Sequence, residues 1–195
     1  MLVLAAGGGS RFGGLKQCIV VGGVPLVRRA ALAGLGVSER VVVVTGAHAD
    51  AVTDALRGLP LETVHNAAWA NGMGGSIASG IRHVAKNPAV RAALICLSDQ
   101  PLVGVAQLQR LIDAHRDTPE RIIASDHGPA LGPPCIFPRR FHPELAALAG
   151  TEGARELLAH HAANVHSLPM PEASVDIDTQ EDFQRLLMAD ATNRE

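Results

Sequence analysis

Four consecutive valines, Val41 to Val44, restrict the fold more than any other feature of this chain. A strand with one wet face alternates apolar and polar residues. An unbroken β-branched run has no polar face, and suits a strand buried on both sides of a parallel sheet. Met1 to Ala5 and Ala92 to Leu97 are similar short apolar runs, and Leu61–His65, Arg121–Ala124, Cys135–Phe137 and Val165–Leu168 read as further strands.

Between these runs the spacing turns helical. Helices are predicted from Pro25 to Gly34 or Gly36, and over Ala47–Arg57, Ser76–Lys86, Val103–Arg116, Phe141–Leu148, Glu152–His161 and Gln180–Met188. Pro25 suits a first helical turn, and Asn87-Pro88 stops the helix before it. Asn66 to Gly75 reads as a loop of small residues. Ser125 to Pro134 also reads as loop, because glycine and proline are dense there. Alternating strands and helices predict a three-layer α/β/α fold with a mostly parallel sheet. With 195 residues, no repeat and no linker composition, one domain over 1–195 is expected.

In such a sheet ligands bind beyond the carboxyl ends of the strands. The first such loop, Gly7-Gly8-Gly9-Ser10-Arg11-Phe12-Gly13-Gly14-Leu15-Lys16, joins closely spaced glycines to two cations. Glycines let backbone N–H groups approach an anion, and Arg and Lys add fixed charge. The loop therefore reads as a cradle for a nucleoside triphosphate. It is not a P-loop, since Gln17 follows Lys16 and the glycine spacing fails; nor is it a dinucleotide fingerprint, since Phe12 stands where the third glycine belongs.

Two acidic segments lie far along the chain. Asp99 ends an apolar strand, a poor place for packing and a good one for magnesium, although Asp before Gln-Pro is also a common turn former. In Asp176-Ile177-Asp178-Thr179-Gln180-Glu181-Asp182, Thr179 and Asp182 have capping-box spacing, which leaves Asp178 free to face the strand ends. The net charge of −2 and the absence of a basic, aromatic-laced stripe argue against nucleic acid. No run is long enough to span a membrane. Three widely spaced cysteines form neither a disulfide framework nor a zinc motif, so a reducing cytoplasm is expected. Cys96 reads as inert core, Trp69 as loop packing, and His160, His161 and His166 as solvated residues.

Taken in order, Leu4-Ala5-Ala6-Gly7-x-x-x-Arg11-x-Gly13-x-x-Lys16, Asn66-x-x-Trp69-x-x-Gly72-Met73-x-x-Ser76, Leu97-x-Asp99-Gln100-Pro101, Gly132-Pro133-Pro134, Gly150-Thr151-Glu152-Gly153-Ala154-Arg155 and the Asp176–Asp182 segment resemble the motifs of the molybdenum-cofactor nucleotidyltransferases. The resemblance implies a Rossmann-like nucleotidyltransferase fold. It also implies nucleotide binding by Leu4, Ala5, Ala6, Gly7, Gly8, Gly9, Arg11, Lys16, Asn66, Gly74 and Ser76, with Arg11, Lys16 and Asp99 catalytic. Asp99 and Asp178 would hold Mg2+, and Gly132, Pro134 and Arg155 would face the acceptor. Ala6 in Leu-Ala-Ala-Gly is typical of the members that use CTP rather than GTP. The activity implied is transfer of CMP from CTP to the terminal phosphate of a molybdopterin-type cofactor, with a recipient molybdoenzyme or its chaperone as partner. Pro133 stands where the family usually has histidine, Thr151 where it has aspartate, and Gly75 where it often has a second serine. Pro133 and Thr151 keep open a transferase for another acceptor such as a sugar phosphate; a guanylyltransferase and a cofactor-binding chaperone without catalysis are the other readings.

Overall fold

The computed structural model describes residues 1–192. Its strands are β1 (Leu2–Ala5), β2 (Val20–Val21), β3 (Val24–Pro25), β4 (Val42–Thr45), β5 (Glu62–His65), β6 (Ala92–Leu97), β7 (Ile122–Asp126), β8 (Leu131–Pro138) and β9 (Val165–Pro169). The helices are α1 (Leu26–Leu35), α2 (Ala49–Ala55), α3 (Met73–Ala85), α4 (Val105–Asp117), α5 (His142–Ala147), α6 (Ala154–His160) and α7 (Gln180–Thr192). Seven strands form one sheet in the order β5-β4-β1-β6-β8-β7-β9, while β2 and β3 make a separate hairpin. Only β8 runs antiparallel to its neighbours in the large sheet.

The valine run behaves as its composition demands. Val42 and Val44 pack with Ile77 and Ile81 of α3, and with residues of α5 and α6, on one face. Val41 and Val43 pack with Val27 and Ala31 of α1 and Val52 of α2 on the other. All four are essentially inaccessible to solvent. On that second face, farther along the sheet, Leu108 and Leu111 of α4 meet Leu94, Ile123 and Ile136. Both faces are therefore covered, and the fold is a three-layer Rossmann-like α/β/α arrangement.

The segment 125–134 departs from expectation. β7 continues to Asp126 and β8 begins at Leu131, so the predicted loop is mostly strand. The register explains how the prolines are admitted: Ala124 pairs with Cys135 and Ser125 with Gly132, which leaves Pro133 and Pro134 as a bulge. A bulge is where a residue without an N–H can enter a sheet. The start of α3 also moves, to Met73 rather than Ser76. Gly72 at φ +121° makes the preceding turn, and a Cβ there would lie 2.2 Å from the Gly150 carbonyl oxygen.

Candidate active site

The glycine loop leaves the carboxyl end of β1. At Gly9, φ is +64° and a Cβ would lie 2.1 Å from the Gly14 carbonyl oxygen, so only glycine closes this turn. The N–H groups of Gly13 and Gly14 donate to the Gly9 carbonyl at 2.9 and 3.3 Å, and Lys16 N–H donates to Gly14 at 2.8 Å. Gln17, buried, donates its amide to the Gly7 carbonyl at 2.6 Å and braces the loop. Trp69 packs close to Gly8 and Gly46.

This folding carries Lys16 to two distant carboxylates. Its ammonium lies 2.7 Å from Asp99 Oδ2 and 2.7 Å from Asp178 Oδ1. Arg11 reaches the other Asp178 oxygen at 2.8 Å. Burial alone would lower the Lys16 pKa, but the two carboxylates outweigh it and raise the pKa above the ordinary lysine value. Asp178 is held by its neighbours. Ile177 is fully buried and donates its N–H to the Asp99 carbonyl at 3.0 Å, joining the two acidic segments. Asp182 accepts from the Thr179 N–H and hydroxyl, both at 2.8 Å, and caps α7. Asp176 stands close by; desolvation, then the Asp178 and Asp99 charges, raises its pKa.

Two cavities meet at this cluster. The first, about 320 Å3, is lined by Leu4 to Gly9, Trp69, Ser76 and Ser98 among others. The second, about 780 Å3, is lined by Gln100, His127, Pro133, Thr151 and Arg155 among others. Arg11, Met73, Leu97, Asp99 and Asp178 border both. The structure thus places Arg11, Lys16, Asp99 and Asp178 together, with the 4–9 stretch and Ser76 in one chamber.

Other expected residues stand behind the walls. Asn66 is buried and donates to Ser76 Oγ at 3.0 Å, and a Cβ at Gly74 would lie 2.7 Å from the carbonyl oxygens of Ala149 and Glu152. Pro134 accepts from Ser125 Oγ at 2.7 Å. Gly132 makes room: a Cβ there would lie 3.3 Å from Arg155 Nε. Gln17, Met73, Gln100 and His127 also line the cavities; Met73 and Gln100 fall within the quoted motifs, whereas Gln17 and His127 belong to no recognisable spacing. Two further expectations concern reactive side chains. His161 is not a solvated histidine, since it contacts Glu144 at 2.7 Å and the Phe141 ring. Cys96 is buried core, its thiol pKa pushed up by desolvation to about 12.

Residues 1–165 match the MobA-like NTP transferase domain. The chain belongs to the MobA-like NTP transferase family. Nicotine blue oxidoreductase of Paenarthrobacter nicotinovorans is 33% identical over 95% of both chains. Rv0371c of Mycobacterium tuberculosis H37Rv superposes with a TM-score of 0.80 at 27% identity, covering 96% of each chain, and has also been solved in complex with manganese. The molybdopterin-guanine dinucleotide biosynthesis protein A of Archaeoglobus fulgidus shares the fold at a TM-score of 0.71 and 17% identity, covering 98% of both chains.

The MobA-like cluster has the donor set of a hard-cation site. Asp99 Oδ1 is buried with no hydrogen-bond partner, and Asp178 approaches from a second loop. Among the described residues no group of three His, Cys, Asp or Glu side chains forms a metal site. Two carboxylates suit Mg2+ or Mn2+, which complete their shells with phosphate and water. Among the described residues no helix is long and apolar enough to cross a membrane.

Proposed function

We propose that the chain acts as a single nucleotidyltransferase domain that transfers CMP from CTP to the terminal phosphate of a molybdopterin-type cofactor, releasing pyrophosphate. The observation that carries this reading is the meeting of the two cavities at Asp99 and Asp178, the two carboxylates that Lys16 bridges from the smaller cavity. A transferase must hold two substrates so that an oxygen of one faces the α-phosphorus of the other, and positioning supplies much of the rate.

The glycine loop and Ser76 receive the nucleotide in the smaller cavity, and the larger cavity receives the acceptor. Arg11 and Lys16 take up the charge that develops on the departing pyrophosphate. Arg155 meets the acceptor's phosphate side. Asp99 and Asp178 would hold a divalent ion, which supplies charge neutralisation at the phosphates when bound. The manganese complex of Rv0371c supports such a site here. Ala6 in the loop favours CTP over GTP. The product would pass to a molybdoenzyme or to the chaperone that loads it, which places the reaction in the cytoplasm.

The test is incubation with CTP or GTP, Mg2+ and molybdopterin cofactor, followed by chromatography. A cytosine dinucleotide is expected. A guanine dinucleotide would reassign the nucleotide, and turnover with a sugar phosphate in place of the cofactor would reassign the acceptor. Tight cofactor binding without turnover would make the protein a carrier. The name of the 33% identical relative adds one more arm, reduction of nicotine blue, whose occurrence without nucleotidyl transfer would replace this reading.

A further inference from the structure

The Pro133 carbonyl organises one wall of the larger cavity. It accepts two hydrogen bonds, from Gln100 Nε2 at 3.0 Å and from His127 Nε2 at 3.0 Å. Gln100 Nε2 also donates to the Ala173 carbonyl at 2.7 Å. A side-chain amide between two carbonyls has its orientation settled, because the reverse would set three oxygens against one another. Gln100 Oε1 is then the free end, and it is buried with no hydrogen-bond partner in a residue 6% exposed.

The same carbonyl settles the histidine. Donation from Nε2 leaves Nδ1 of neutral His127 as an acceptor. Burial holds the His127 pKa below the usual value, so the neutral ring prevails at physiological pH. One backbone oxygen thus commits two cavity-lining side chains to accept hydrogen bonds rather than donate them. An orphan buried acceptor is costly unless something satisfies it.

We propose that Gln100 and His127 are specificity-determining residues that accept hydrogen bonds from N–H groups of the acceptor substrate. This inference rests on reading the larger cavity as the acceptor's site. With the proposed acceptor bound, the donors are the exocyclic amine and a ring N–H of its nitrogen heterocycle. Rejection of an analogue lacking the amine follows from the acceptor it would leave unpaired.

The experiment compares a pterin and a lumazine that carry the same phosphorylated side chain; the lumazine has an oxo group in place of the pterin's exocyclic amine. Binding is followed by fluorescence for wild type, Gln100→Leu and His127→Phe, with CTP affinity and circular dichroism measured in parallel. Wild type should prefer the pterin about tenfold or more, the range set by one unpaired polar group. Gln100→Leu should abolish most of that preference while CTP affinity stays within about twofold. His127→Phe gives a second reading if Gln100→Leu fails to fold. Equal binding of both compounds by wild type, or full preference retained in both folded variants, overturns the inference and leaves the proposed reaction standing. Failure of wild type to bind either compound, with CTP bound normally, removes the cofactor as acceptor and this inference with it.

Discussion

The Lys16 ammonium nitrogen lies 2.7 Å from Asp99 Oδ2, although 83 residues separate them in the chain. With Asp178 Oδ1 at the same distance, one lysine bridges both carboxylates proposed to hold a divalent ion. Replacing it therefore has two opposite effects. Lys16→Met should lower turnover about 10³-fold, because charge on the leaving pyrophosphate loses a fixed partner. In nucleotide-free protein the same change should tighten Mn2+ binding about tenfold, read by electron paramagnetic resonance, because the competing ammonium is gone. Unchanged Mn2+ affinity would show that Lys16 and the ion do not compete.

Two glycines of the first loop separate strain from collision. Gly9 and Gly13 both have positive φ, +64° and +83°, yet a Cβ at Gly9 meets the Gly14 carbonyl oxygen while one at Gly13 meets nothing within 4 Å. Gly13→Ala should cost about 1 kcal/mol, the conformational penalty alone. Gly9→Ala should cost about 3 kcal/mol and weaken CTP binding as well. Urea denaturation of both variants provides the check.

Under the proposed function, nucleotide choice rests with a methyl group. Ala6 lines the smaller cavity and is 5% exposed. Ala6→Gly opens that wall, and the ratio of kcat/KM for GTP to that for CTP should rise about tenfold, the usual scale for one methyl group in a fitted cavity. An unchanged ratio would place nucleotide choice elsewhere in the wall.

His142 gives the pH dependence a sign. The side chain is buried, and desolvation, followed by the Arg139 charge, lowers its pKa. The unfolded chain then binds protons that the folded protein refuses. Stability is complete above the ordinary histidine pKa and is lost as pH falls through it. His115 and His127 add to the same trend, burial being the first cause for each. Denaturation at pH 7 and pH 5 should show wild type losing stability on acidification and His142→Phe losing less. An equal loss in the two proteins would exclude His142 as a contributor.

Much of this could be read before any coordinates, for identifiable reasons. Val41 to Val44 are apolar throughout because both sheet faces are covered, and Ala92–Leu97 matched its strand residue for residue. The loop from Gly7 to Lys16 was legible because its glycines and cations are contiguous. Cys135–Phe137 was legible as part of β8, but its first half was not, since Gly132-Pro133-Pro134 breaks local rules and is tolerated only by the bulge opposite Ala124 and Ser125. The accepting role of Gln100 and His127 is not legible in the sequence for a related reason. Their chemistry is decided by the Pro133 carbonyl, a tertiary contact that no spacing in the chain announces.

The central claim is that nucleotide and acceptor meet at Lys16, Asp99 and Asp178. Pyrophosphate release from CTP, followed with a coupled pyrophosphatase assay, tests it most directly when CTP, divalent metal and molybdopterin cofactor are each omitted in turn. Release should require all three and fall by about 10³ in Lys16→Ala with the fold intact by circular dichroism. Release that persists at wild-type rate in Lys16→Ala, or no release from wild type with every component present, would contradict the account.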